Sequence, residues 1–136
     1  MNNDSSSQSW GITLLRVMVG IVFLMHGGQK LFVFRFHGVA GMLTSLHVPF
    51  PAVFSVVLTL VEFLGGLALV LGLMTRLAAV LLVIDMAAAI FSVHLKSGFF
   101  MPNGFEYALT LLVANLCLAL TGPGPASIDE MIEKRS

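Results

Sequence analysis

The chain is poor in charge. Of 136 residues, seven are Lys or Arg and seven are Asp or Glu, 10% in all, whereas an ordinary soluble domain carries about 25%. Water is therefore excluded as its main solvent. The two signs balance, so no long-range field draws the chain to nucleic acid or to an anionic surface, and a nucleic-acid partner is excluded. There is one cysteine, Cys117, which rules out an intramolecular disulfide and a CxxC redox pair. Any electron chemistry must then belong to a bound molecule. The sequence also lacks an HExxH motif, a Cys/His cluster, and any two histidines three or four residues apart. No metal is expected at His26, His37, His47, His94 or Glu106. A G-x-S-x-G elbow is absent, and the glycines of "HGG" and "GPGP" lack the strand-to-helix context of a phosphate loop. The opening "MNNDSSSQSW" has no basic residue, so the first helix is expected to remain in the mature protein rather than serve as a cleaved signal.

What the chain does have is apolar length. Hydrophobic residues make up 57% and the mean hydropathy is +0.97. Four apolar segments separate, at about 10–34, 51–74, 77–95 and 99–121. Each provides roughly the 20 residues of helix needed to cross a hydrocarbon core of about 30 Å, and helices satisfy their own backbone in lipid. The breaks fall at "VPFP", "GLMTR", "SGFFMPNG" and "TGPGP", all rich in Pro, Gly or turn residues. The polar tail 122–136 follows, with Ser127 placed to cap a short helix whose Ile128, Met131 and Ile132 can lie on the membrane surface. The expectation is an all-α, multi-pass, four-transmembrane-helix bundle in one domain, with a short interfacial helix at the C-terminus. Its expected setting is a lipid bilayer. Arg76, Lys134 and Arg135 gather on the side of the termini with Arg16 near it, against Lys30, Arg35 and Lys96 on the other, which favours cytoplasmic termini.

A few charges nevertheless lie within the spans. At about 1.5 Å of rise per residue, Arg16, Asp85 and Glu62 fall roughly 9, 12 and 16 Å in from the terminal side. A charge in hydrocarbon is expensive, so these three are expected to face the interior and pair with one another. Two acids and one guanidinium leave a surplus carboxyl, expected to hold a proton. Such a network either handles protons or only fixes helix packing. Helical phase puts Arg16, Gly20, Phe23, Gly27 and Lys30 on one stripe, and Glu62, Gly65, Gly66, Leu69 and Gly72 on another. In the third span Ala78, Asp85, Ala89, Ser92 and Lys96 align; in the fourth, Glu106, Thr110, Val113 and Cys117. His94 and Asn115 then point away from Asp85 and Glu106, so either a helix end unwinds or a second face meets a partner. A second polar layer, His26, Gln29, Lys30, His94 and Glu106 with Lys96 nearby, sits near the opposite interface, where Lys30 can also snorkel without function.

The combination of "LLRVMVGIVFLMHGGQKLF", "VEFLGGLALVLGLMTRLAA", "HLKSGFF" and "GFEYALTLL…GPGPASIDE" resembles the DoxX family of small bacterial four-helix membrane proteins over nearly the whole chain. Arg16, His26, Gly27, Lys30, Glu62, Gly66, Gly72, Arg76, His94, Gly98, Glu106, Gly122, Gly124, Ser127 and Asp129 match the family's characteristic positions. Pro125 and Ala126 depart from it, standing where a basic and an aromatic residue are usual. The resemblance implies a place in the bacterial inner membrane and thiol or quinone redox there, as an oxidoreductase component or a membrane partner of redox-defence enzymes. On that basis Glu62 and Asp85 are expected as proton carriers with Arg16 as counter-ion. His26, Gln29, Lys30, His94 and Glu106 are expected around a bound quinone or similar small molecule. The alternative is a non-catalytic scaffold that docks redox enzymes through its outer loops or through His94 and Asn115. Self-association into a homo-oligomer is compatible with either.

Overall fold

The computed structural model describes residues 2–136, and every regular element among them is helical. Helix α1 runs from Asn2 to Gly28 and continues as a π-helical segment, Gln29–Phe34. It begins eight residues before the expected start. Asp4 in its first turn complements the helix dipole, and the Ser9 hydroxyl donates back to the Ser5 carbonyl at 2.8 Å. Next comes α2, Arg35–Ser45, a helix the sequence reading left inside a loop. Its Val39 and Leu43 are buried as it packs on α3.

Helix α3, Pro51–Leu71, has proline in its first turn and is closed by Gly72 in the left-handed region at φ 68°, where a Cβ would be strained. After the short turn at 72–74, α4 spans Thr75–Ala89 and passes into a second π segment, Ile90–His94, and a 3₁₀ turn, Leu95–Ser97. Helix α5 covers only Glu106–Thr121, some 24 Å of rise. The expected fourth span from 99 is thus shortened, because Gly98, Pro102 and Gly104 break the helix. Residues 98–105 form a loop held by its own backbone: Phe105 N donates to Gly98 O and Glu106 N to Phe99 O, both at 2.9 Å. Helix α6, Ile128–Arg135, ends the chain. Three helical runs, Asn3–Ser45, Pro51–Leu71 and Thr75–Ser97, are long and apolar enough to cross a membrane, with α5 as a shorter apolar helix.

The packing order is α1 on α3, α3 on α4, α4 on α5, with α5 returning to α1. Glycines set the tightest of these contacts. A Cβ on Gly66 would stand 2.8 Å from Leu24 Cα, and one on Gly20 would stand 2.7 Å from Val70 N, so bare backbone lets α1 and α3 touch. The core between the four is small and apolar, centred on Phe23, Leu69, Leu82 and Leu118. Large side chains such as Leu14, Met25, Phe91 and Leu120 instead face outward, as expected where the outer solvent is lipid.

Candidate functional site

Lys30 and Glu62 form an ion pair between the π-helical extension of α1 and the middle of α3. It is nearly sealed, with side chains 18% and 5% exposed. Asp85 reaches the same place from α4. It lies against Glu62, near enough for its carboxyl to interact with both partners of the pair, while its Oδ2 is buried without a hydrogen-bond partner among the described residues. The expected meeting of Glu62 and Asp85 is therefore present.

Its cation is not the expected one. Arg16 is buried, but its Nε donates to Leu69 O at 2.9 Å, one Nη to Ala126 O at 3.0 Å and the other to Pro123 O. It holds the tail instead of the acids. Side chains on a helix lean toward its N-terminus. Arg16 thus leans toward the terminal face, while Glu62, on a helix of opposite direction, leans away from it. Lys30 leans inward along α1 and meets Glu62. Equal depth of Cα atoms did not capture this divergence.

A cavity of about 170 Å³ opens beside the pair. Lys30 and Glu62 line it with Phe23, Met86, His26, His94 and Tyr107, and loop residues Met101, Pro102 and Gly104 form its roof. His94 is there because of the π segment. A regular helix would carry it to the opposite side from Asp85, but widening the turn to an i→i+5 pattern rotates it back. Its Nδ1 lies 3.1 Å from Asn103 O; a carbonyl only accepts, so Nδ1 is the donor and Nε2 is left for the cavity. The ring of His26 sits 6.4 Å from that of Tyr107, inside the range of favourable aromatic contacts. Tyr107 was missed in the sequence. As the single tyrosine, one residue past Glu106, it carried the signal of an interfacial aromatic.

Three other expected members lie elsewhere. Gln29 is exposed and lines an outer groove of about 450 Å³ with Leu24, Met25, Gly28 and Val33; His26 borders that groove as well as the cavity. Glu106 accepts from Met101 N at 3.1 Å, so it shapes the loop. Asn115 is fully buried, its Nδ2 donating to Leu111 O at 2.9 Å. Asn115 is thus withdrawn from the surface, whereas His94 lines the cavity and is half-buried. The buried face of α5 is Ala108, Leu111, Asn115 and Leu118, not the stripe through Glu106, because Glu106 stands at the helix start and turns to the loop. No group of three or more His, Cys, Asp or Glu among the described residues is arranged to hold a metal.

The terminal face has a polar cluster of its own. Both Asp129 oxygens accept from the start of α4, Met74 N at 2.7 Å and Thr75 N at 2.9 Å. Asp129 N donates to Gly72 O at 2.9 Å, and the Thr13 hydroxyl donates to Pro125 O at 2.7 Å. Ser127 caps α6 by accepting from Glu130 N at 3.1 Å, as its position in the sequence indicates. Met131 and Ile132 remain exposed, available to the membrane surface.

Comparison with known proteins places the chain in a group. The DoxX family model matches residues 11–95. The chain is 34% identical over 125 residues to a Bacillus subtilis protein named "Putative oxidoreductase CatD", covering 91% of this chain and 88% of the relative. It is 33% identical to the "Uncharacterized membrane protein Rv3486" of Mycobacterium tuberculosis, covering 92% and 83%. It is 30% identical to the "Inner membrane protein YqjF" of Escherichia coli, covering 92% and 94%. No solved structure matches.

Proposed function

The chain belongs to the DoxX family, and from that premise we propose that it is a membrane-embedded component of a redox system, taking the ring of a quinone or similar small molecule into the cavity beside Lys30 and Glu62. The observation that carries this reading is the ion pair itself, set in a cavity wall with a third ionisable group, Asp85, behind it. A pair needed only for packing has no requirement for an adjacent space or a surplus acid. The relative named an oxidoreductase is consistent with it.

Size limits the ligand. The cavity, about 170 Å³, is smaller than the roughly 300–1,000 Å³ that holds a drug-sized molecule, so it suits one ring and its polar substituents. The apolar groove across His26 suits a tail. In this arrangement the Lys30 ammonium and the free nitrogen of His94 hydrogen-bond ring oxygens, Tyr107 and Phe23 pack on the ring, and Glu62 and Asp85 hold one exchangeable proton between them. Lys30 takes the counter-ion role expected of Arg16. Electrons pass between the ring and a partner enzyme, since a chain with one thiol has no dithiol couple.

Orientation follows the count of basic residues. The loop face carries Lys30, Arg35 and Lys96, against Arg76, Lys134 and Arg135 on the terminal face with Arg16 near it, a small excess that supports cytoplasmic termini in this reading.

Titrating the full chain in lipid nanodiscs with a short-chain benzoquinone, followed by calorimetry, tests the reading. Saturable binding is expected, weakened about tenfold or more, or roughly 1.4 kcal/mol, by Lys30→Met and by Glu62→Gln. Identical binding by all three proteins, or none by any, would remove it.

A further inference from the structure

We propose that the Glu62–Asp85 pair exchanges protons with only one side of the membrane, the face formed by loop 98–105, and is closed to the face that carries the termini. This rests on the proton-handling role given to the pair above and adds a direction to it.

The geometry is asymmetric because α5 is short. Its first turn, at Glu106 and Tyr107, begins near the level of Lys30, and the missing turns are replaced by the loop. The cavity therefore has Glu62 on its wall and Met101, Pro102 and Gly104 above it. A loop covers a space less tightly than a helix whose side chains interlock with three neighbours. On the other side of Asp85 the four helices are complete. Leu69, Leu82, Ala79 and Leu118 show no exposure there, and Val19 almost none. Ten residues separate Asp85 from the start of α4 at Thr75, or about 15 Å of packed core. Beyond that layer, Arg16 ties Pro123 and Ala126 over the end of the bundle and Asp129 closes the α3–α4 turn. Between Asp85 and that cap, the fully buried polar side chains are Asn115 and Thr75, each with an oxygen that finds no partner among the described residues, and the Asn115 amide is tied back to Leu111 O of its own helix. They do not form a chain along which a proton could step.

The titratable groups that line the cavity beside the pair are His26 and Lys30 from α1 and its extension, Glu62 itself from α3, His94 from the extension of α4, and Tyr107 from α5; of these Lys30, as an ammonium, can only donate. Glu106 is turned to the loop backbone, and Arg35 and His37 of α2 are exposed and outside the cavity. When the carboxyl O–H breaks, its proton passes to water at the loop face and the carboxylate left behind faces the Lys30 ammonium. No oxidant enters this step.

Side-specific chemistry on the full chain, inserted in one orientation in liposomes, tests this. In a Cys117→Ala background, Ala89→Cys places a thiol on the cavity wall. A charged, membrane-impermeant methanethiosulfonate is expected to label it from the loop face, with labelling lost when the reagent is confined to the terminal face. Met86→Cys serves as a second position. Labelling from the terminal face, from both faces or from neither overturns the proposal. The protonated-carboxyl infrared band, assigned by its loss in Asp85→Asn or Glu62→Gln, is then followed as the pH is stepped on one side at a time. It should respond to the loop side alone. A band that follows both sides leaves the proton-handling role standing and removes the direction. A cavity labelled from one side with no titrating carboxyl removes both.

Discussion

Replacing Arg16 with methionine distinguishes a tail clamp from an acid counter-ion. Arg16 donates to three backbone carbonyls on two separate segments, Leu69 of α3 and Pro123 and Ala126 of the tail. A hydrogen bond from a charged donor contributes about 1.5–3 kcal/mol. The bond to Leu69 O is fully buried and belongs at the upper end; the two tail carbonyls are partly buried and can be rehydrated when released. A loss of about 4–6 kcal/mol is expected for Arg16→Met. Arg16→Lys should recover only a minor part, since a single ammonium cannot span three acceptors so arranged. Unfolding in mixed detergent micelles measures the loss, and limited proteolysis at 122–136 reports release of the tail. Benzoquinone binding should persist wherever the variant stays folded. An Arg16→Met protein with an intact, protected tail and a lost binding site would refute the reasoning, because it would return Arg16 to the acids.

Other substitutions probe other parts of the bundle. Gly27→Ala puts a Cβ about 2.5 Å from Phe63 Cα, forcing α1 from α3. A loss of about 1–3 kcal/mol or more is expected, whereas Gly11→Ala, with nothing within 4 Å, should gain up to about 1 kcal/mol from helix propensity; thermal melts in detergent compare them. Asn115→Leu should be neutral or stabilising by the same measurement, since Asn115 Oδ1 is buried without a partner among the described residues and removing a polar group that is only half satisfied is inexpensive. The Glu130 carboxyl is held below its usual 4.5, first by its hydrogen bond with Lys134. Its contribution to the docked tail is thus present above pH 4.5 and lost as the pH falls through the lowered value. Proteolysis of the tail should therefore increase on acidification below that range, and Glu130→Gln should flatten that part of the profile.

Much of the helix pattern was readable because apolar length and turn residues are local properties. The stripes through Gly20 and Gly27, and through Glu62 and Gly66, held since both helices are regular there. What failed depended on direction or on interrupted winding. Arg16 and Glu62 diverge by the lean of side chains on antiparallel helices, which depth alone does not encode. His94 was flagged as a conflict with Asp85 and is reconciled by a π turn, a feature without a clear composition signal. The fourth stripe was anchored on Glu106, whose place at a helix start gives it to the loop; starting from Asn115 would have found the buried face. Helix α2 was overlooked because "RFHGVAGMLTS" buries only two side chains and has glycines and polar residues between them.

The brevity of α5 also acts on the surroundings. Its rise of about 24 Å falls short of a hydrocarbon layer near 30 Å, while α3 and the extended α4 span that thickness comfortably. Lipids along this one flank must thin or tilt to keep their chains against apolar side chains, at fractions of a kcal/mol per ångström. The deformation falls beside the loop, so the bilayer is most easily parted next to the cavity. An amphiphile moving within the leaflet would meet the protein where local dimpling has already brought headgroups and ring-sized space to the same depth.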